Sequence, residues 1–475
     1  MAARGSRGGA RADGRRSSAR ALLARAGAVA LWLVAWQVAS MAMGSSILLA
    51  GPLDTLARLR ELAVQPSFLA TVGFSLARIM SGFVVAYALA VALAFLARRL
   101  PLAGTIVAPV MTALKSVPIA CVIVLLLIWV GSRRVSAIAV FVAVFPAVYF
   151  SCAEGLAGID PKLSEMLAVF RVRGVVRALV HAWPSVLPHL VGTARNVCGM
   201  AWKAGVAAEL IGSPRGSVGE RIYQAKILLE TADLFAWTIV VVALSALCER
   251  LFVSLLSRSD VPSRRLALVL ARGVRAPGGG GNALVPSSVT LDRASIGYGE
   301  IAVATGVSVD RGPGSRTVLT DRSGVGKTTL LRTVAGLQPV LDGQALLLPP
   351  TVSVVFQDAR LVERLTAVDN VLLVAGAPPE GEVREALGEL LPAEALDVPV
   401  AELSGGQRRR VEIVRALLCP SAAVLLDEPF SSLDERTHRE AAAFVLRHLA
   451  GRTLMVASHA AGDAVLLSAD AIEPL

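Results

Sequence analysis

Charge is scarce in this chain of 475 residues: Asp, Glu, Lys and Arg make up 17%, whereas apolar residues make up 55%. That balance excludes an ordinary soluble globular protein. Aromatic residues are few, at 5%, and no basic patch is interleaved with them, so the net charge of +11 does not point to nucleic acid. Cysteine is scarcer still. Cys121, Cys152, Cys198, Cys248 and Cys419 show no paired spacing, which leaves disulfide and zinc readings without support.

What is present divides in two. Residues 286–475 hold 17 Lys+Arg against 24 Asp+Glu, and residues 1–285 hold 30 against 12, so the positive charge belongs to the greasier half. Loops facing anionic lipid account for that pattern, and the lipid bilayer is the expected first partner. Residues 1–25 carry seven arginines among Gly and Ser and read as a disordered basic tail. Apolar runs at 26–43, 79–97, 116–132, 135–153 and 234–256 approach the ~20 residues that cross a bilayer. A sixth, 191–211, carries Arg195, Lys203 and Glu209. Arg15-Arg16-Ser17 raises a twin-arginine leader as a rival for the first run. That run is long for a leader and more spans follow, so it is taken as an uncleaved helix. With residue 1 inside, the inner segments hold 18 Lys+Arg and the outer loops seven. Both ends of this all-α six-helix domain, 26–256, therefore face the cytoplasm of a cell-membrane protein. Lys203 and Glu209 have two open readings, as groups on a polar path through the bundle or as structural pairs.

The loop 154–190 is long and internal. Asp160 before Pro161 is a helix start, Pro184 and Pro188 bracket an end, and Leu163, Met166, Leu167 and Phe170 share one face. Such a helix needs a partner outside the membrane. Residues 257–288 include four consecutive glycines, 278–281, and read as a linker.

From 289 to 475 short apolar runs, 352–356, 422–426 and 453–457, alternate with helical stretches, which predicts an α/β domain with a parallel core. Ser323-Gly324-Val325-Gly326-Lys327-Thr328-Thr329 follows one apolar run and opens a helix. Its glycines let backbone N–H groups cup phosphates, Lys327 reaches the β/γ oxygens, and Thr328 offers its hydroxyl to Mg²⁺. The full pattern places glycine six residues before the lysine, where this chain has Asp321. Asp427 and Glu428 end an apolar strand: the first suits Mg²⁺, the second the polarisation of an attacking water. Ser404-Gly405-Gly406-Gln407 opens an Arg-rich helix and forms an anion-gripping corner. ATP and Mg²⁺ are the ligands these patterns select.

Together the motifs resemble an ABC ATPase over most of 289–470, a P-loop nucleotide-binding domain. The resemblance implies that Tyr298 stacks on adenine, that Gln357 senses Mg²⁺ and the membrane domain, and that Leu403–Gln407 grips the γ-phosphate of an opposite subunit. It further implies that Ser432-Leu433-Asp434 is the D-loop and His459 the switch histidine, with Ala460 where an acidic residue often follows. Residues 45–256 resemble the permeases of nitrate, sulfonate, taurine and thiamine-precursor ABC importers, in Ser46–Pro52, Lys115–Pro118, Phe145-Pro146, Trp202–Glu209 and Asp233–Trp237. There the 160–188 loop is the coupling helix, here with Glu165-Met166-Leu167 and with Arg171 where glycine is expected. These likenesses imply a homodimeric ATP-driven importer (a translocating ATP hydrolase) of a small solute supplied by an extracellular solute-binding protein. The alternative, motivated by Asp321, is an ATP-binding membrane sensor with little hydrolysis.

Overall fold

The computed structural model describes residues 6–45, 47–272, 285–322, 324–374, 379–460 and 462–473. The chain forms two compact units, one made of Met1–Ala157 and Pro188–Ser257, the other of Gly158–Leu187 and Arg258–Leu475.

The first unit is helical. Among the described residues, Ala26–Met43, Pro66–Arg99, Ser132–Ala157 and Thr231–Ala271 are long and apolar enough to cross a membrane. The run 116–132 does not make one straight helix. Pro101–Ser116 and Ile119–Val130 meet at a bend of 102°, because Pro118 has no N–H to continue the ladder and holds Val117 extended. Over the sixth apolar run, 191–211, the helix Trp183–Gly212 forms. Its Glu209 is fully buried and accepts hydrogen bonds from Ser75 Oγ at 2.6 Å and Gly219 N at 3.3 Å. Lys203 is exposed. Backbones approach closely in this unit: a Cβ on Gly82 would lie 2.2 Å from the carbonyl oxygen of Ala137, so only glycine fits between those two helices.

The second unit holds two sheets. Strands β1 (Val289–Tyr298), β2 (Ile301–Arg311) and β4 (Val340–Leu347) form an antiparallel sheet in the order β2-β1-β4. Strands β3 (Arg316–Thr320), β5 (Val352–Val355), β6 (Ala423–Asp427), β7 (Thr453–Ser458) and β8 (Ala471–Glu473) form a parallel sheet in the order β5-β6-β7-β3-β8. Strands β6 and β7 are buried at every residue, as their unbroken apolar runs require.

The segment 158–187 belongs to this second unit. Asp160 accepts from Lys162 N and caps helix Pro161–Val169, whose Met166 and Leu167 are fully buried in one cluster with Leu331, Val334 and Phe356. Pro184 and Pro188 do not end a helix. They lie in the N-terminal turns of Trp183–Gly212, just after the wider π turn Ala178–Ala182, which accommodates carbonyls that no proline N–H can reach. Arg171 stands at φ 53°, the left-handed region where glycine is preferred, and its guanidinium donates to the carbonyl of Pro350. The stretch read as a linker begins with a helix, Asp260–Arg272, while the glycine run 278–281 lies outside the described residues.

Arg452 is 1% exposed and has no carboxylate partner among the described residues. It donates instead to the carbonyls of Leu417 and Cys419 at the end of one helix and of His448 and Leu449 at the end of another. A cation there offsets two helix C-termini at once. Replacing it leaves several buried carbonyls unpaired, so Arg452→Met is expected to lower stability by roughly 3 kcal/mol. The check is a drop of several degrees in the melting temperature of the purified protein.

Candidate functional site

Four strands of the parallel sheet deliver the site. Their carboxyl ends lead into Gln357 after β5, Asp427-Glu428 at β6, His459 after β7 and the 321–326 loop after β3. Because β5, β6, β7 and β3 are neighbours in that order, the segments that leave them are adjacent. Gly324 and Gly326 sit at φ 90° and 113°, which a side-chain-bearing residue rarely adopts, and Gly326 caps helix Lys327–Val334. Tyr298, Gly324, Gly326, Lys327, Thr328, Thr329, Gln357, Asp427, Glu428 and His459 line one groove of about 320 Å³. Val325 lies in the same turn, and Ser323 lies outside the described residues.

Lys327 is 6% exposed and its ammonium donates to the carbonyl of Asp321, with His459 Nδ1 at 3.3 Å. The Asp321 carboxylate accepts its neighbour's N–H, from Arg322, at 2.6 Å and does not line the groove. Thr328 Oγ1 donates to Asp427 Oδ1 at 3.1 Å. Burial pushes the Asp427 carboxyl up to about 6; the Thr328 hydroxyl opposes this, and adjacent Glu428 adds to it. Glu428 holds φ at 46°, and its Oε1 lies 3.0 Å from His459 Nε2.

This donor set fits Mg²⁺ with a nucleotide. A buried carboxylate short of cationic partners, a threonine hydroxyl and the Gln357 amide are all oxygen ligands of the hard type. No cluster of three or more His, Cys, Asp or Glu suited to a metal occurs among the described residues. A cation that keeps waters and takes phosphate oxygens needs no such cluster.

The corner Ser404–Gln407 is built but lies apart from the groove. Ser404 Oγ accepts from Gln407 N at 3.3 Å while Gln407 Oε1 accepts from Ser404 N at 2.9 Å, a closed capping box on helix Gly405–Leu418. Ser404 and Gly405 are exposed. Gly406 lies close to the loop before Glu435, since a Cβ there would stand 3.2 Å from the Ser432 carbonyl. Asp434 caps the following helix, Glu435–His448.

Sequence reasoning missed the charges behind Gln357. On the buried face of the Gly405–Leu418 helix, Glu412 is fully buried; it accepts from Arg360 N at 2.6 Å and lies 3.2 Å from Arg409. Arg409 in turn donates to the carbonyls of Phe356 and Gln357, each at 2.5 Å. Arg360 reaches Glu165 at 2.8 Å, and Arg332, from the helix that starts at Lys327, meets the same carboxylate at 2.9 Å. Burial raises the Glu165 carboxyl, but these two guanidiniums outweigh it and hold it below the usual range. The missed signal was Arg409, Glu412 and Arg415 standing three apart among Val411, Ile413 and Val414, which are core residues.

Residues 304–431 match the family model described as ABC transporter, and residues 82–259 match the binding-protein-dependent transport system inner membrane component. The chain is 36% identical over 183 residues to the aliphatic sulfonates import ATP-binding protein SsuB of Granulibacter bethesdensis, covering 38% of this chain and 76% of that protein. This chain belongs to the ABC transporters. A further relative of this ABC transporter, SsuB 2 of Rhodococcus jostii, is 35% identical over 190 residues, 39% of this chain and 78% of its own. SsuB of Burkholderia pseudomallei is 38% identical over 206 residues, which cover 41% of this chain and 61% of that one. The match thus spans about three fifths of the latter's length. The permease-type half lies in the same chain as the cassette, so this ABC transporter is a multi-pass membrane protein that fuses the two.

Without a bound cation, Asp427 holds its proton to higher pH when folded than a free carboxyl at 3.8 does, so its burial costs stability as pH rises from 3.8 to about 6, and the cost is constant above that. Asp427→Asn removes that cost. The nucleotide-free variant is expected to gain up to about 3 kcal/mol at neutral pH, with the gain shrinking as pH falls from 6 toward 4. Melting temperatures of the two proteins across that range provide the check.

Proposed function

We propose that this chain is half of an ATP-driven importer, a permease fused to its ATPase, which works as a homodimer. The observation that carries the reading is the convergence of Lys327, Thr328, Asp427, Glu428, His459 and Gln357 on one groove, within a chain whose other half matches a transport-system membrane component. The exposed Ser404–Gln407 corner, lying apart from its own groove, supports a second copy: it is free to close on the phosphates held by a partner. The excess of Lys and Arg on the inner segments supports a cytoplasmic N-terminus and ATPase unit. The names of the relatives make aliphatic sulfonates the first solute class to test, delivered by an extracellular binding protein.

In this reading Tyr298 stacks on the base and Lys327 with the Gly324–Thr329 amides holds the phosphates. Thr328, Asp427 and Gln357 would hold Mg²⁺, which supplies charge neutralisation at the phosphates. Glu428 accepts a hydrogen bond from the attacking water, and His459, 3.0 Å from that carboxylate, keeps it turned inward. Each role is confined to side chains that line the groove.

The sensor reading depends on a carboxylate facing the phosphates. The Asp321 carboxylate is satisfied by Arg322 N instead. ATP turnover in proteoliposomes tests both readings. Glu428→Gln is expected to lower kcat by about 100-fold or more, the usual scale for losing a positioned base. Asp321→Gly is expected to change KM for ATP by no more than about fivefold, since a single solvated charge contributes roughly 1 kcal/mol or less. A parent without turnover that gains it in Asp321→Gly would establish the sensor instead.

A further inference from the structure

Glu428 and His459 come from loops after different strands, and their side chains are 23% and 43% exposed, so packing alone does not fix them. One ring reaches both loops. His438, early in the helix Glu435–His448, stacks on Phe430 with centroids 4.5 Å apart and planes at 25°. Phe430 is buried and lies two residues beyond Glu428. On its other side His438 Nε2 lies 2.8 Å from Asp463 Oδ1, a close contact without hydrogen-bond geometry, and neither atom has a hydrogen-bonding partner among the described residues. Asp463 is 2% exposed. Its second oxygen accepts from the Ser458 hydroxyl, and Ser458 Oγ accepts from Ala460 N at 3.0 Å. Ser458 and Ala460 flank His459.

We propose that His438 is a positioning residue for the Glu428–His459 pair, acting on one loop through Phe430 and on the other through Asp463 and Ser458; the inference rests on the ATP-hydrolysing role argued above. A carboxylate as buried as Asp463 needs more than one hydroxyl to stay in place. Without His438, turning outward relieves it, and Ser458 Oγ is then released from the turn that carries His459. The open pocket of about 190 Å³ lined by Glu428, Phe430, His438, Ser458, His459 and Asp463 leaves room for that movement. The groups assigned to nucleotide binding, Tyr298, Lys327 and Thr328, sit on other segments. The loss therefore falls on turnover rather than on binding.

His438→Leu keeps the apolar contact with Phe430 and removes the ring nitrogen that faces Asp463. His438→Arg restores a donor whose flat guanidinium also stacks on an aromatic ring. In the full chain in proteoliposomes, His438→Leu is expected to lower kcat about tenfold with KM for ATP within about twofold, the signature of a misplaced catalytic group. His438→Arg is expected to recover most of the turnover. Should His438→Leu fold poorly, H438L combined with D463N leaves no unpaired buried charge, and its kcat is expected to stay low in folded protein. Parental kcat in His438→Leu or in that double variant, or a low kcat that His438→Arg does not lift, overturns the inference alone. A parent that does not turn over ATP overturns the hydrolytic reading and this inference with it.

Discussion

The parallel pairing of β5, β6, β7 and β3 is the constraint on which the site depends. Parallel strands point all their carboxyl ends one way, so the four loops that carry Gln357, Asp427-Glu428, His459 and Lys327 emerge on one edge. The register follows: Leu426 pairs with Val456, and Val456 with Val318. A slip of one residue would part Thr328 from Asp427, whose side chains are joined by a hydrogen bond of 3.1 Å.

Behind the edge, charge replaces apolar packing. Glu412 and Arg409 tie the helix that begins at the Ser404–Gln407 corner to the carbonyls of Phe356 and Gln357. Arg360 then carries the contact to Glu165 on the 161–169 helix, and Arg332 brings the helix of Lys327 to the same carboxylate. The half-buried Glu165 carboxylate thus joins its own helix, the Lys327 helix and the segment of Arg360. Such a network is rigid only while every member is satisfied. Hydrogen bonds thereby tie the 158–187 segment to the helices that begin at Lys327 and at the Ser404–Gln407 corner.

Much of this was legible in the sequence because it is written locally. A phosphate-binding turn, a strand ending in two carboxylates and a capped helix at Ser404 each occupy fewer than ten adjacent residues, and glycine or periodicity marks them. The start of the 161–169 helix and its apolar face were legible for the same reason. What escaped was written at a distance or against the pattern. Pro118 breaks a run that reads as one span, the helix Asp260–Arg272 hides in a stretch read as linker, and Pro184 and Pro188 continue a helix they seem to end. Arg409 meets Phe356 from 53 residues away and His438 meets Asp463 from 25, separations that no periodicity reports.

The central claim is that the phosphate-binding groove of one copy is completed by the Ser404–Gln407 corner of another. Co-reconstitution of two inactive forms tests it most directly: a Lys327→Ala chain, lacking the phosphate cation, with a Ser404→Arg chain, lacking the corner. If the site spans two copies, mixed dimers regain one intact site and ATP turnover returns in the mixture although each form alone is inactive. If the mixture stays as inactive as its parts, each chain needs its own corner, and the account is contradicted.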